Sequence, residues 1–175
     1  IANGSIDIIY SLKPNSYILD MDVKANNLEG FFPSNTKSMQ IEWTEDMRQQ
    51  EKGYDFETRY ATITYRDTNG DTQELSVTGS DAEEDEFEEK AEWIAYKTQF
   101  FSQIFIADSP FSINSMSSSQ LEKGSGYLKT YQTSLTTAFD TKGIKPSSFH
   151  FYLGPNKFST LAKNEELLAS EEDLD

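Results

Sequence analysis

The sequence contains no cysteine, which excludes disulfide bonds, thiolate metal ligands and cysteine nucleophiles. It contains one histidine, His150, so any Ser-His-Asp triad would depend on that side chain. His150 lies between Phe149 and Phe151 in an alternating segment, where a histidine is more often a packing or surface residue than a catalyst. The chain also lacks a Gly-x-Ser-x-Gly elbow, a Walker motif and a dinucleotide glycine motif. We therefore predict a non-enzymatic protein with no catalytic residue and no cofactor.

Basic residues are scarce: 15 Lys and Arg stand against 30 Asp and Glu, giving a net charge of −15. This excess repels phosphate backbones, so nucleic acid is not an expected partner, and it disfavours adsorption to anionic lipid. The many carboxylates leave open the alternative of a hydrolase that uses a pair of carboxylates as catalytic groups. Eight acids lie between Asp81 and Glu92, but without EF-hand spacing or its central glycine, so we predict no metal site. Residues 81–89 are expected to form a mobile, exposed acidic linker.

Long apolar segments are also missing, since no run reaches the roughly 18 residues needed to span a bilayer. The first residues, Ile1 to Ser5, resemble no signal peptide and include no initiator Met. We therefore expect a piece of a longer chain. Its 175 residues suffice for one domain with its own core.

Aromatic residues are plentiful, with 12 Phe, 9 Tyr and 2 Trp, and they favour pleated sheet. Alternating apolar and polar residues between turn signals predict a series of strands. The first two should form a hairpin with one buried face. The strands are expected at residues 5–12, 17–25, 38–43, 60–65, 73–78, 127–139 and 147–153, with one or two more within the apolar run 93–107.

Three segments break this alternation. Residues 44–54 fit a short exposed helix or a long loop, and the serine-rich residues 112–120 follow a break at Ser109-Pro110-Phe111. After Gly154 and Pro155 the period becomes helical, which predicts a helix from about residue 156 to residue 163. This helix should pack on the sheet through Phe158 and Leu161 and be followed by a looser segment. Trp43 could stack on a sugar, but we favour its capping the core. Strands followed by one terminal helix predict a β-sandwich with a C-terminal α-helix.

Two motifs carry a resemblance to a known family. The pattern Trp-x-Ala-x-Lys-x-Gln-Phe-Phe runs from Trp93 to Phe101, and Tyr152-Leu153-Gly154-Pro155 follows downstream. Together they resemble the extracytoplasmic domain of the YidC-type bacterial membrane protein insertases, most strongly over residues 93–107 and 149–161 and weakly before residue 60. The resemblance implies a β-super-sandwich similar to galactose mutarotase. Because the family's domain is longer, part of the N-terminal side of the sandwich is expected to be absent.

The resemblance also implies a function and a location. It implies a non-catalytic periplasmic domain of an inner-membrane insertase and chaperone, working alone or with the Sec translocon. Expected partners are membrane-protein substrates and Sec accessory subunits. Residues 1–154 would form the sandwich, and residues 155–175 a helical segment leading to a membrane span. The alternative is a periplasmic carbohydrate-binding or other envelope interaction module. The structural and interaction candidates are Trp93, Phe101, Phe105, Pro155, Phe158 and Leu161. We expect Trp93, Phe101, Phe105 and also Phe151 to be largely buried, because strands this apolar must face another layer.

Overall fold

A computed structural model describes residues 4–75, 81–84, 87 and 90–172. Over these residues the fold is mainly β, with ten strands and two helices. The strands are β1 (Ser5–Leu12), β2 (Ile18–Asn26), β3 (Ser38–Arg48), β4 (Thr62–Asp67), β5 (Thr72–Glu74), β6 (Asp81–Glu84), β7 (Lys90–Lys97), β8 (Phe101–Gln120), β9 (Tyr127–Ala138) and β10 (Ser147–Pro155). The helices are α1 (Tyr54–Arg59) and α2 (Phe158–Glu172).

All strand pairings in the described residues are antiparallel, and strand β8 connects two layers of sheet. Its first half pairs with β10 and β7, in a layer ordered β1-β2-β10-β8-β7-β4-β5. Its second half pairs with β9 and β6, and β9 pairs in turn with β3. The register between β7 and β8 shifts opposite Glu92, between the pairs Trp93↔Ile106 and Ala91↔Phe111. A strand that changes sheets through such an irregularity is a known way to build a sandwich corner.

Aromatic rings fill the space between the two layers. Trp43 of β3 stacks on Tyr96 of β7, with ring centroids 3.8 Å apart and planes at 15°. Tyr131 of β9 meets the same Tyr96 ring edge-on. Since β3 and β9 form no hydrogen-bonded pair with β7, these contacts place the layers face to face. The β-sandwich is therefore confirmed, and Trp43 packs in the core as favoured.

The predicted hairpin forms, but its predicted buried face on β1 is wrong. Strands β1 and β2 pair in register from Ser5↔Asn26 to Leu12↔Leu19. Every residue of β1 is exposed, including Ile8 and Tyr10. Strand β1 is an edge strand whose only described neighbour is β2, and no described element covers either of its faces.

Three segments predicted to be irregular are strands. Strand β3 continues to Arg48, so the helix or loop predicted from residue 44 begins later, and the short helix is α1. The serine-rich residues 112–120 belong to β8, because β9 pairs with nearly all of them and β6 pairs with residues 116–119, which satisfies backbone groups. The predicted linker begins with the four-residue strand β6, and Ala82 is buried. Except for residue 87, the rest of that segment lies outside the described residues.

The C-terminal helix forms, and it is longer than predicted. It begins at Phe158 and continues to Glu172, through most of the segment expected to be looser. Phe158, predicted to pack on the sheet, is 85% exposed, whereas Leu161 is half-buried. Nothing helical in the described ranges has the length and apolar character required to cross a bilayer.

Candidate functional site

The six candidate residues fall in three places, and the first is the core. Phe105 is 1% exposed and its ring contacts Trp43, Phe111, Phe149 and Phe151. It therefore joins β3, β8 and β10 in one aromatic cluster. Its position makes Phe105 a structural residue that no partner can reach in the folded domain.

Trp93 and Leu161 come together in a groove between α2 and the outer face of the sheet. The groove has a volume of about 650 Å³. Ile104 and Ile106 line its floor because they alternate with Phe105 and so point away from the core. Arg66 and Glu92, 3.5 Å apart, place an ion pair in its wall. We call this the helix groove.

Two asparagines fix α2 at the edge of the helix groove. Asn164 is 3% exposed, and its Oδ1 accepts hydrogen bonds from the Tyr17 backbone N–H at 3.1 Å and the Ser16 hydroxyl at 3.4 Å. Before the helix, the Asn156 backbone N–H donates to the Phe100 carbonyl at 2.7 Å and its side chain donates to the Thr98 carbonyl at 2.9 Å. These contacts attach the helix to the β1–β2 turn and the β7–β8 turn.

Phe101, Pro155 and Phe158 belong to a third place, the end of the sandwich where five connecting segments meet. Phe101 and Pro155 are direct partners in the β8–β10 ladder, and Phe101 is 48% exposed, so its predicted burial is wrong. We call this end the turn end. It comprises residues 12–17, 48–60, 97–101, 121–127 and 153–158.

Hydrogen bonds connect neighbouring segments of the turn end in pairs. The Leu153 N–H donates to the Tyr17 carbonyl, the Gln49 N–H donates to the Gly126 carbonyl, and the Tyr54 hydroxyl donates to the Leu121 carbonyl. Residues 50 and 51 line one shallow depression together with residues 99–101 and 155–157. Glu57 is fully buried and its carboxylate accepts from the backbone N–H groups of Gln50 and Glu51, which holds α1 against this end.

A cluster of polar side chains surrounds His150, and no sequence motif indicated it. Its Nδ1 lies 2.7 Å from Asp20 on β2, and its Nε2 lies 3.0 Å from Asp108 on β8. Asp108 raises the pKa of His150 most, burial opposes the increase, and Asp20 adds to it. Both ring nitrogens are engaged by carboxylates, so the arrangement suits a charged cross-strand clasp better than a general base. Only strand pairing brings these residues together, across 130 and 42 positions.

In the described part of the chain, no group of three or more His, Asp and Glu side chains is placed to hold a metal ion. The fold and its surfaces define an antiparallel β-sandwich domain with a helix laid across one face. Residues 2–174 match the model of a family described as the YidC periplasmic domain. The chain belongs to this family, as the motifs from Trp93 and Tyr152 indicated.

Curated relatives carry the same family name. A membrane protein insertase YidC from Phocaeicola vulgatus is 39% identical over 172 residues, which cover 98% of this chain and 27% of the relative. One from Bacteroides fragilis is 40% identical over 156 residues, covering 89% of this chain and 25% of the relative. One from Azobacteroides pseudotrichonymphae is 35% identical over 173 residues, covering 99% and 28%. The chain thus spans about a quarter of the length of these relatives. These matches favour an insertase domain over the carbohydrate-binding alternative.

Proposed function

We propose that this chain is the non-catalytic periplasmic domain of an inner-membrane protein insertase, and that the whole protein inserts and folds membrane proteins. The observation that carries the proposal is the family match over residues 2–174. The names of the relatives support the activity of the whole protein, and the composition supports an interaction role for this part.

Within that protein, residues 1–154 serve as a rigid sandwich and residues 155–175 as a helical segment that leads to a membrane span. The contacts of Asn156 and Asn164 support this division, because they fix both the start and the second turn of α2 on the sandwich. A helix held in this way transmits the orientation of the sandwich to whatever follows it in the chain.

The partners in this proposal are membrane-protein substrates and accessory subunits of the Sec translocon. Trp93 and Leu161 in the helix groove, and Phe101, Pro155 and Phe158 at the turn end, are the interaction candidates. Phe105 has the structural role of holding the layers together. Each exposed candidate lies next to α2 or at its start. Binding of a partner to these residues would therefore affect the position of α2, and the position of α2 would affect binding.

The proposal is tested by complementation in an insertase-depleted strain with the full-length protein. Leu161→Asp places a charge beside the apolar floor of the helix groove, and Asn164→Ala removes the acceptor for Tyr17 and Ser16. We expect both changes to slow growth at normal protein levels. The matched control is Ser159→Asp, an exposed position on the same helix.

Growth equal to the unaltered protein with Leu161→Asp and Asn164→Ala combined contradicts the role of α2. Failure of the unaltered gene to restore growth contradicts the insertase activity itself. The control separates a specific effect of the groove from a general effect of added negative charge on the helix.

A further inference from the structure

We infer that the turn end is a membrane-facing surface that binds anionic lipid headgroups and places its aromatic side chains among them. This goes beyond the proposed insertase role, because it assigns a lipid ligand and an orientation to the domain. It is drawn from two independent properties of the turn end, its exposed apolar side chains and its charge.

Exposed apolar side chains are concentrated at the turn end. Among the described residues, 15 large apolar side chains are exposed, and nine of them belong to it. They include Phe100, Phe101 and Phe158, and the tyrosines Tyr17, Tyr60 and Tyr127. Aromatic side chains with a polar tip are typical of the membrane–water interface, where the ring is apolar and the hydroxyl remains hydrated. Among the strands that the structure describes, only β1 carries a comparable group, and it consists mainly of aliphatic residues.

The charge of the turn end is opposite to that of the chain. Its segments contain seven Lys and Arg against four Asp and Glu, whereas the whole chain has 15 against 30. One of the four acids, Glu57, is buried against backbone N–H groups, and another, Asp55, forms an ion pair with Lys123 at 2.7 Å. The exposed balance is therefore basic. Anionic headgroups attract such a surface, while the acidic remainder of the domain is repelled and turns away from the membrane.

The two properties coincide at the start of α2. Phe158, 85% exposed, follows Lys157, and both come directly after the Pro155–Asn156 segment that is bonded to the Phe100 and Thr98 carbonyls. Because the backbone is fixed there, the aromatic and basic side chains are held outward together. A free chain end would lose conformational freedom on binding, whereas this surface is already ordered and avoids most of that cost.

The test is cosedimentation of the 175-residue chain with vesicles of phosphatidylethanolamine and phosphatidylglycerol in equal parts, compared with phosphatidylcholine vesicles. We expect binding to the anionic vesicles only, and its loss when ionic strength rises to about 1 M, where the screening length is about 3 Å. Lys52→Gln and Lys157→Gln should each weaken binding roughly fivefold. Phe100→Ser combined with Phe158→Ser should abolish it.

Matched controls lie at the opposite end of the sandwich. Lys142→Gln and Lys145→Gln remove exposed bases there, and Phe31→Ser combined with Ile144→Ser removes exposed apolar side chains. These variants should bind as the unaltered chain does. Because all the altered side chains are exposed, unchanged thermal midpoints should show that the fold is kept. Equal loss in both sets of variants, or no binding of the unaltered chain, overturns the inference.

The orientation can be measured separately because the chain has no cysteine. An environment-sensitive fluorophore is attached to Phe158→Cys or to Ile144→Cys, positions that are 85% and 81% exposed. On anionic vesicles we expect a blue shift and quenching by brominated lipid for the label at position 158 alone. Equal quenching at position 144, or binding to neutral vesicles that salt leaves unchanged, contradicts the inference. Complementation by full-length variants has an independent readout, so the insertase proposal can fail while this one stands.

Discussion

At the scale of single residues, two core tyrosines in contact differ in how their hydroxyl groups are satisfied. The Tyr96 hydroxyl donates to the Trp43 carbonyl at 2.8 Å and shares a hydrogen bond of 2.8 Å with Thr133. The Tyr131 hydroxyl is buried and has no hydrogen-bond partner among the described residues. Burial raises the pKa of both phenols, so both stay neutral at physiological pH.

The two tyrosines therefore predict opposite results for the same substitution. Tyr96→Phe should lower the free energy of unfolding by about 1–2 kcal/mol, because it removes two hydrogen bonds. Tyr131→Phe should leave it unchanged or raise it by about 1 kcal/mol, because it removes an unsatisfied buried group. Urea denaturation of the two variants measures both values. A loss for Tyr131→Phe as large as that for Tyr96→Phe would show that the Tyr131 hydroxyl has a partner.

The sequence predicts the face of a strand on which a residue lies but not whether that face is covered. Phe101 and Phe105 are four positions apart and therefore share a face of β8. Phe105 lies under the opposite layer, whereas Phe101 is the first residue of the strand, at the turn end, and is half exposed. The extent of the opposite layer depends on where β3 and β9 lie in space. A local sequence pattern does not indicate the position of strands that are distant in the chain.

At the scale of elements, His150 clasps three strands. Its ring joins β10 to Asp20 on β2 and to Asp108 on β8, while Ser148 on β10 donates to Asp22 on β2. Because Asp108 and Asp20 raise the His150 pKa, the protonated ring stabilises the fold. That contribution is complete below the unfolded-state pKa of about 6.5 and is lost as pH rises through the higher folded-state pKa.

We therefore expect the free energy of unfolding to fall as pH rises from about 6.5 through the raised folded-state pKa of His150, and His150→Gln to flatten this decline. With one histidine and no cysteine, no other side chain has an ordinary pKa in this range, so the comparison is direct. Urea midpoints measured across the range for both proteins provide the test. A decline of equal slope in His150→Gln would exclude the clasp.

The strand that the sequence mispredicted most is β8, and the physical reason is a bulge. Phe111 and Ile113 are buried at odd positions, but the register shift between Ile113 and Ser115 moves the buried face to Met116 and Ser118. Such a change of phase interrupts the alternation on which strand prediction depends. By contrast the predicted limits of β9 and β10 agree closely with the structure, although the register between β3 and β9 shifts at Met47 and Arg48.

At the scale of the whole molecule, stability depends on the aromatic cluster between the layers. Phe105→Ala removes a ring that contacts Trp43 and three phenylalanines, and should lower the free energy of unfolding by about 3–5 kcal/mol. Phe101→Ala, the matched control on the same strand, should cost less than about 1 kcal/mol. Chemical denaturation measures both. Similar losses for the two would mean that Phe101 is covered in solution.

The overall architecture was predictable because aromatic content, turn signals and the terminal change of period all indicate a sandwich with a helix. The extent of α2 was not predictable from its first residues. Leu161 and Asn164 are fixed by contacts with β7, β8 and the β1–β2 turn, and such contacts extend a helix beyond its local preference. The sequence predicted the helix groove and the turn end only in part. The basic character of the turn end comes from five segments that are far apart in the sequence.

The pairing order also determines when the domain can close as it is being made. Strand β2 obtains its second neighbour only from β10, with Asp20 opposite His150, and β3 pairs with β9, with Trp43 opposite Thr133. When the chain is synthesised from its N-terminus, β2 therefore lacks one neighbour and β3 lacks its partner β9 until roughly the last quarter of the domain has been made. Sheets built from such distant partners form slowly, and unpaired strand edges attract other extended chains. We therefore expect the interval between the synthesis of β3 and that of β10 to be the period when a newborn chain most needs protection from aggregation.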